Sequence, residues 1–233
     1  MEIKAELQQA FAYIRTRLPN FNAKVGMILG SGLGCVTDDM TIQARIPYHE
    51  IPGFFTSQVE VHAAELVFGK YQGVSVVCMS GRIHVYEGAD FTQVALPIRL
   101  MKLLGVQHLL ISNAAGSLIS SATPGDVVMI KDHINFQINS PLVGPNDEDM
   151  GPRFVPMENA YDATTRRKFN KIAFDLGIEM YEGVLLACWD LSLKRLQRFE
   201  HLRFWVRIGD LYGARSDCGA SLWFKGDGNF SRD

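Results

Sequence analysis

The chain has 233 residues, of which 47% are hydrophobic and 21% are charged, proportions that suit one globular domain with a substantial core. Its formal net charge of -2 argues against nucleic acid or an anionic membrane surface as a partner. No apolar run reaches the length of a membrane span, and the N-terminal residues lack the order of a signal peptide, so we expect a cytoplasmic protein. The four cysteines are scattered without metal-ligand spacing, which predicts no metal site.

Helix-like and strand-like patterns alternate along the first 187 residues. Apolar residues at helical spacing predict helices over 4–18, 92–104 and 163–176. Strand patterns lie between them, at 24–29, 74–79, 106–112, 127–130 and 179–187, with shorter β-like runs between 42 and 69. Strands that alternate with helices predict an α/β fold with a mixed, largely parallel central sheet flanked by helices.

A glycine-rich turn, Gly30-Ser31-Gly32-Leu33-Gly34, follows the first predicted strand. Such a turn lets backbone N–H groups converge on an anion, and the Ser31 hydroxyl adds a further donor. The turn resembles the fingerprint of a nucleotide-binding Rossmann protein only in part, because Cys35 stands where the third glycine belongs. It therefore predicts either an anion site or a purely structural tight turn.

The stretch Ser80–Gly88 follows the strand predicted at 74–79, and α/β proteins bind their ligands at strand ends. If the stretch stays extended, Arg82, His84 and Tyr86 point to one side, while the residues between them point into the protein. The planar donors of arginine match phosphate geometry, and histidine adds a donor whose charge can follow the ligand. The pattern predicts a phosphate and sugar site, with an edge strand that has one polar, solvated face as the alternative.

Other segments carry weaker signals. His62 lies in a β-like run, where a histidine that only supports the structure is the alternative to a ligand contact. Small residues at Asn113–Ser117 are expected at the end of a strand, where a ligand can approach the backbone. The polar loop 139–154 has a length that indicates function or mobility.

Five motifs follow one another along the chain: Gly30–Gly34, Gly81–Gly88, Asn113–Gly116, Lys131–Asn135 and Gly144–Asp147. Taken together and in this order, they resemble the trimeric family of purine nucleoside phosphorylases. The resemblance extends from residue 1 to about residue 188. The sequence from Asn113 to Leu118 is similar to that of the bacterial xanthosine, guanosine and inosine phosphorylases.

The resemblance implies an activity and a set of site residues. Phosphate attacks the anomeric carbon of a purine nucleoside while the purine leaves, through an oxocarbenium-like state, and catalysis relies on positioning and electrostatic stabilisation. Inorganic phosphate is the co-substrate, and neither a cofactor nor a metal is implied. The implied catalytic residues are His84 and Arg82, the implied phosphate ligands are Ser31, His62, Arg82, His84 and the backbone of Ala114, and the implied ribose contact is Tyr86.

The resemblance also implies a homotrimer. In the family, an aromatic side chain from the loop that corresponds to residues 144–151 reaches the sugar site of the neighbouring subunit. Here Met150 occupies that place, and Val61 and Ala64 flank His62 where the family usually has glycine. We therefore expect an altered sugar wall and an altered His62 loop.

The resemblance stops after Cys188. The family continues with a Phe-Glu-Thr-Pro-Ala-Glu stretch, a Met-Ser motif that contacts ribose and phosphate, and an asparagine that binds the purine, and none of these is present. All three tryptophans and none of the nine prolines lie beyond Cys188. Codons permitted by residues 189–201, read after one restored base, encode Leu-Gly-Pro-Gln-Phe-Glu-Thr-Pro-Ala-Glu-Ile-Arg-Ala, which is the family's own continuation.

We interpret residues 1–188 as an incomplete phosphorylase-like α/β domain and residues 189–233 as an out-of-frame translation, with a divergent C-terminal helix as the alternative. The family's last strands and helices and its base-binding segment are then expected to be missing, and activity is expected to be impaired. The alternative functions are a 5'-methylthioadenosine phosphorylase, a non-catalytic remnant that binds phosphate, and a Rossmann protein that binds NADH.

Overall fold

The structure is a computed structural model that describes residues 2–30, 33–56, 64–118, 121–123, 125–137, 139–187, 206–209 and 220–225. The chain divides into two compact units. The first unit contains Met1–Leu109 and Asn139–Val155, and the second contains Leu110–Ile138 and Pro156–Asp233. No helix among the described residues is long and apolar enough to cross a membrane.

The first unit contains a group of mainly antiparallel strands. One helix precedes these strands in the sequence and another follows them. Short 3₁₀ helices at Gly34–Thr37, Tyr48–Glu50 and Val85–Glu87 connect some of these elements. The longer elements are α1 (Glu2–Arg17), β1 (Val25–Ile28), β2 (Thr41–Pro47), β3 (Glu65–Tyr71), β4 (Val74–Ser80) and α2 (Phe91–Leu103), followed by the start of β5 (His108–Ser117).

The strands of the first unit lie in the order β2-β3-β4-β1. Strands β3 and β4 form an antiparallel hairpin in which Glu65 pairs with Ser80, while β1 runs parallel to β4. Strand β4 is buried along most of its length because its apolar run, Val76 to Met79, has β3 on one side and β1 on the other. The end of β4 is therefore a rigid place from which to present side chains.

Helix α1 packs against α2, as the periodicity of its apolar residues predicts. The buried positions of α1 recur at helical spacing at Leu7, Ala10 and Ile14. The matching positions of α2 are Leu96 and Leu100. These contacts remove apolar area from water and fix α2, whose first turn comes directly after the Gly81–Gly88 motif.

Two cysteines among the described residues, Cys35 and Cys78, form no disulfide bond and have opposite environments. Cys35 is exposed in the 3₁₀ helix at Gly34–Thr37, whereas Cys78 is fully buried in β4. Burial raises the pKa of the Cys78 thiol to about 12. The Cys78 side chain is therefore a small apolar core residue at neutral pH.

The second unit contains most of β5 and the elements β6 (Val127–Asn135), α3 (Ala163–Asp175), β7 (Met180–Ala187), β8 (Val206–Gly209) and β9 (Ala220–Lys225). Its strands lie in the order β5-β8-β7-β6-β9, and a further pairing of β5 with β9 closes them into a ring. The pairs β6–β7, β7–β8 and β6–β9 are parallel, and β5–β8 is antiparallel. The predicted α/β fold with a mixed sheet and flanking helices is therefore confirmed.

The C-terminal segment contributes two strands: β8 and β9 lie in it and pair with strands of the second unit. The expectation that the family's own last strands are missing stays a prediction. A local reason for β8 is that Val206 and Ile208 are β-branched residues at alternate positions, which favours a strand. A segment of any origin can form such strands if its residues favour a strand and a neighbouring strand has an unpaired edge.

Candidate functional site

The Gly81–Gly88 motif begins immediately after β4, as the sequence predicts. Gly81 has a φ of 94°, in the left-handed region that favours glycine, so the chain turns sharply as it leaves the strand. The motif ends in the 3₁₀ helix Val85–Glu87 and at Gly88, whose φ is 99°. The condition that the stretch stays extended is therefore not met from Val85 onward, because the N–H of Glu87 donates to the carbonyl of His84 and closes a turn.

Arg82 and His84 lie on the part of the motif that does remain extended. His84 has extended backbone angles (φ -113°, ψ 139°), and Ile83 between the two residues is buried. Arg82 and His84 are both half-buried. The burial of these three residues thus alternates as expected from the sequence, with Arg82 and His84 on either side of buried Ile83 along one short segment.

Tyr86 lies in the 3₁₀ helix, so its backbone follows a different path from that of Arg82 and His84. Its side chain is outside the described part of the structure. The next residue, Glu87, has a carboxylate oxygen, Oε2, that is buried and has no hydrogen-bond partner among the described residues. A buried acceptor without a donor is unfavourable, so this oxygen is suited to accept a hydrogen bond from a ligand or a water molecule.

Helix α2 fixes the far end of the motif through its N-cap. The carboxylate of Asp90 accepts a hydrogen bond from the Gln93 N–H at 2.7 Å, and the Gln93 side chain accepts one from the Asp90 N–H at 2.9 Å. This reciprocal pair is a capping box, which satisfies two N–H groups that the helix itself leaves unpaired. The motif is therefore held between a strand and a capped helix.

Tyr48 fixes the near end of the motif, a role that no sequence pattern indicates. Its hydroxyl donates to the carbonyl of Gly81 at 2.8 Å, although the two residues are 33 positions apart. The Tyr48 side chain is only 2% exposed and packs against the ring of Phe54. A tyrosine after a proline in a β-like run carries no local pattern that predicts such a long-range bond.

The Asn113–Ser117 motif belongs to the second unit. Its position relative to the strand differs from the prediction. Strand β5 continues to Ser117, so the small residues lie within the strand and not after it, because their backbone groups find partners in β8. Asn113 is buried, and its Nδ2 donates to the carbonyl of Ala114 at 3.3 Å. Its Oδ1 is buried and has no partner among the described residues, so it too is suited to accept a hydrogen bond.

Ser31 and His62, two further predicted phosphate ligands, lie outside the described residues. The chain on either side of them is described. The N–H of Leu33 donates to the carbonyl of Gly30, and Ala64 directly precedes β3 with a φ of 38°, an uncommon value for an alanine. Arg82 and His84 belong to the first unit and Ala114 to the second.

The Lys131–Asn135 motif forms the second half of β6. The Nδ1 atom of His133 lies 2.6 Å from the hydroxyl of Tyr161, a side chain that is 5% exposed. Burial, and secondarily the charge of Asp132, raise the pKa of Tyr161 well above its ordinary value. The phenol is therefore neutral at physiological pH and available for this hydrogen bond.

The loop that contains Gly144–Asp147 is tied to both helices of the first unit. Lys4 of α1 pairs with the carboxylate of Asp149 at 2.5 Å, and Lys102 of α2 donates to the carbonyl of Met150. The hydrogen bond from Lys4 lowers the pKa of Asp149 below its ordinary value. These ties are exposed and individually weak, and they hold the backbone around Met150 near the helices.

In the described part of the chain, no group of three or more histidine, cysteine, aspartate or glutamate side chains is arranged to hold a metal ion. The polar groups at the end of β4 are instead donors suited to an anion, namely a guanidinium and an imidazole. An oxyanion such as phosphate fits this donor set better than a cation does.

Comparison with known proteins identifies relatives of the chain. A family model described as the phosphorylase superfamily matches residues 24–190. Purine nucleoside phosphorylase 1 from Geobacillus stearothermophilus is 43% identical over 184 residues, which is 79% of this chain and 67% of that protein. Purine nucleoside phosphorylase 1 from Bacillus subtilis is 44% identical over 185 residues, covering 79% of this chain and 68% of that protein.

Solved structures of purine nucleoside phosphorylases are also similar to this chain. Isoform 2 of the Schistosoma mansoni purine nucleoside phosphorylase, in complex with cytosine and ribose-1-phosphate, superposes with a TM-score of 0.82 at 34% identity, over 94% of this chain and 81% of that one. A Schistosoma mansoni purine nucleoside phosphorylase in complex with adenosine gives a TM-score of 0.78 at 34% identity, over 93% of this chain and 81% of that one.

Proposed function

Because the chain belongs to the phosphorylase superfamily and, within it, to the purine nucleoside phosphorylases, we propose that its site is built for phosphate-dependent cleavage of purine nucleosides. The substrates are purine ribonucleosides or 2'-deoxyribonucleosides, and the products are the free base and (deoxy)ribose 1-phosphate. The observation that carries the proposal is the segment after β4, where half-buried Arg82 and His84 flank buried Ile83.

Each residue has a proposed role in this reaction. Arg82 and His84 hold the phosphate dianion and are the catalytic residues, together with ligands from Ser31, His62 and the N–H of Ala114, and Tyr86 contacts the ribose. A phosphate oxygen forms a bond to the anomeric carbon as the glycosidic bond breaks, and the bonding electrons leave with the purine, which takes up a proton. The fixed donors stabilise the dianion beneath the developing cation without forming a covalent bond to the sugar.

The base-binding half of the site is proposed to be missing from this chain. The family match ends at residue 190, and the relatives from Geobacillus and Bacillus are covered over about two thirds of their length. We propose that residues 189–233 are an out-of-frame translation and that the chain therefore binds phosphate but turns over little or no nucleoside. The nucleotide sequence around codon 188 tests the first part, since an intact frame without a nearby single-base gap would contradict it.

The activity is tested with purified protein, inosine or guanosine, and phosphate, by following release of the free base. The expected result is phosphate binding with a turnover far below 1 per second, the lower end of ordinary enzymes at about 1–1,000 per second. A rate in the ordinary range would show that the base site is intact. A parallel reaction with 5'-methylthioadenosine distinguishes the alternative phosphorylase, and phosphate binding without release of either base supports a non-catalytic remnant.

The homotrimer and the cytoplasmic location stay predictions. The family resemblance supports the trimer, and the exposed apolar side chains of Leu142, Val143 and Phe154 are consistent with a surface that a second copy covers. Light scattering of the purified protein after size-exclusion chromatography measures the assembly. A mass of one chain, 26.0 kDa, would contradict the trimer.

A further inference from the structure

Tyr48 makes hydrogen bonds from both its backbone and its side chain to two separate segments of the first unit. Its N–H donates to the carbonyl of Ala64 at 2.8 Å, and its hydroxyl donates to the carbonyl of Gly81 at 2.8 Å. Both acceptors are main-chain carbonyls. One residue therefore connects two points of the chain that are far apart in sequence.

The two acceptors lie next to each other at one end of the β3–β4 hairpin. Ala64 directly precedes Glu65, the first residue of β3, and Gly81 directly follows Ser80, the last residue of β4. Because Glu65 pairs with Ser80, both chain segments leave the hairpin at the same end. Tyr48 bridges this open end, where the backbone ladder of the hairpin stops.

Both acceptors also have a positive φ, which is rare for alanine and one of several conformations open to glycine. Ala64 has a φ of 38° and Gly81 a φ of 94°. A positive φ is unfavourable for alanine and only one of several options for glycine, so the surroundings must specify these conformations. The hydrogen bonds from Tyr48 stabilise the peptide orientation at both places.

Tyr48 is itself held rigidly. It follows β2, whose last residue Pro47 pairs with Glu65, and its buried ring packs against Phe54 at 5.4 Å between centroids. Burial raises the pKa of its phenol well above the ordinary value, so the hydroxyl remains a proton donor over the physiological range. The bridge is therefore made by a fixed, uncharged donor.

We propose that Tyr48 is a positioning residue for phosphate binding: by holding the Gly81 carbonyl, it fixes the turn that places Arg82 and His84. Tyr48 does not contact phosphate. This inference rests on the proposed function, because it assigns Arg82 and His84 to phosphate. Without the hydroxyl, the Gly81 carbonyl loses its donor and the turn at Gly81 has more freedom, so the two side chains spend less time in the binding arrangement.

The variant Tyr48→Phe tests the proposal because it removes the hydroxyl and keeps the ring that packs against Phe54. Tyr13→Phe is the matched control: Tyr13 donates to a carboxylate oxygen of Glu50 at the same distance, 2.8 Å, and neither residue belongs to the phosphate segments. Binding of inorganic phosphate to the full chain and to both variants is measured by titration calorimetry. We expect about tenfold weaker binding for Tyr48→Phe and no change for Tyr13→Phe.

Hydrogen exchange without phosphate supplies a second measurement on the same proteins. Tyr48→Phe is expected to accelerate exchange in the segment 81–88, whereas Tyr13→Phe leaves that segment unchanged. A general loss of stability would instead accelerate exchange throughout the first unit. A Tyr48→Phe protein that unfolds would show that the hydroxyl supports the whole unit, and this would overturn the local role.

The outcomes separate this inference from the function on which it rests. Equal phosphate affinity of the unmodified chain and Tyr48→Phe would overturn the positioning role and leave the proposed function intact. An unmodified chain that binds no phosphate would overturn the proposed function. Hydrogen exchange in the segment 81–88 still tests the role of the Tyr48–Gly81 hydrogen bond in that case. Equal exchange rates in the unmodified chain and Tyr48→Phe would overturn that role as well.

Discussion

The ends of β4 and β6 are each fixed by a buried tyrosine hydroxyl, but the two hydroxyls bind different kinds of group. At the end of β4, in the first unit, Tyr48 donates to the main-chain carbonyl of Gly81. Near the end of β6, in the second unit, Tyr161 bonds to the imidazole of His133. The first bond fixes the path of the backbone, whereas the second fixes the orientation of one side chain.

The difference affects how each bond responds to its surroundings. A main-chain carbonyl is always an acceptor and does not change its protonation state. Tyr48 is therefore always the donor in its bond to Gly81. A ring nitrogen of histidine donates or accepts according to its tautomer, so the sense of the Tyr161 bond depends on the tautomer of His133. The segment that carries Arg82 and His84 is thus held by a bond whose acceptor has only one role.

The largest effect is expected when either tyrosine is reduced to alanine. Tyr48→Ala and Tyr161→Ala each remove a buried ring, which lowers the free energy of unfolding by about 3–5 kcal/mol. Urea denaturation of both variants measures the loss. If one of them loses less than about 1 kcal/mol, its ring is not part of the core and the comparison between the two residues fails.

A smaller effect is expected at the glycine that Tyr48 holds. Gly81→Ala forces a side chain onto a residue with φ of 94°, which costs about 1–2 kcal/mol of folding free energy and weakens phosphate binding. Gly73→Ala is the control: Gly73 has a similar φ of 84°, and an added Cβ there meets nothing within 4 Å. Denaturation and phosphate titration of both variants should show similar losses of stability, but weaker binding only for Gly81→Ala.

The helix cap that follows Tyr161 gives a prediction about pH. Asp162 accepts hydrogen bonds from the side chain and the N–H of Thr165, and these bonds lower the pKa of its carboxyl below 3.8. Because the folded pKa lies below the unfolded one, the stabilisation is present above the unfolded pKa and is lost as the pH falls through the folded pKa. Asp162→Ala should therefore lower stability by about 1 kcal/mol at neutral pH.

Thermal unfolding across a pH series tests this cap. The difference between Asp162→Ala and the unmodified chain should shrink toward zero as the pH falls below the ordinary range of an aspartate and the carboxylate is protonated. Asp162→Asn keeps a capping oxygen and should lose less than Asp162→Ala at neutral pH. A difference that stays constant over the whole series would mean that the charge of Asp162 does not contribute.

The smallest effect is expected for Tyr161→Phe, which breaks the bond to His133 and keeps the ring. His133 is half-buried, so water can replace the lost partner, and the loss of stability is at most about 1 kcal/mol. Phosphate titration should give the same affinity as for the unmodified chain. Weakened binding would show that the imidazole at β6 also positions the site, and the contrast with Tyr48 would then disappear.

Much of the fold could be predicted from sequence because the periodicity of apolar residues reports burial directly. The helix predicted over 4–18 is α1 (Glu2–Arg17), and that predicted over 163–176 is α3 (Ala163–Asp175). The strand predicted at 74–79 is β4 (Val74–Ser80). In each case one buried face or one buried run dominates the energy of the element.

The site was predicted only in part, for reasons that involve specific residues. The alternation of Arg82, Ile83 and His84 was visible because a strand pattern extended into the motif. The turn that begins at Val85 was not, since it depends on Gly88 adopting a left-handed conformation. The Tyr48–Gly81 bond could not be predicted at all, because it depends on the register of three paired strands and leaves no local pattern.

Because Cys78 is buried in β4, its chemical modification reports when β4 separates from the neighbouring strands. Cys78 pairs with Val67 of β3 on one side and with Met27 of β1 on the other. A thiol reagent reaches its sulfur only when these strands separate, whereas exposed Cys35 is accessible in the folded protein. With Cys35, Cys188 and Cys218 replaced by serine, the rate at which Cys78 is modified measures how often β4, the strand that precedes Arg82 and His84, separates from its neighbours.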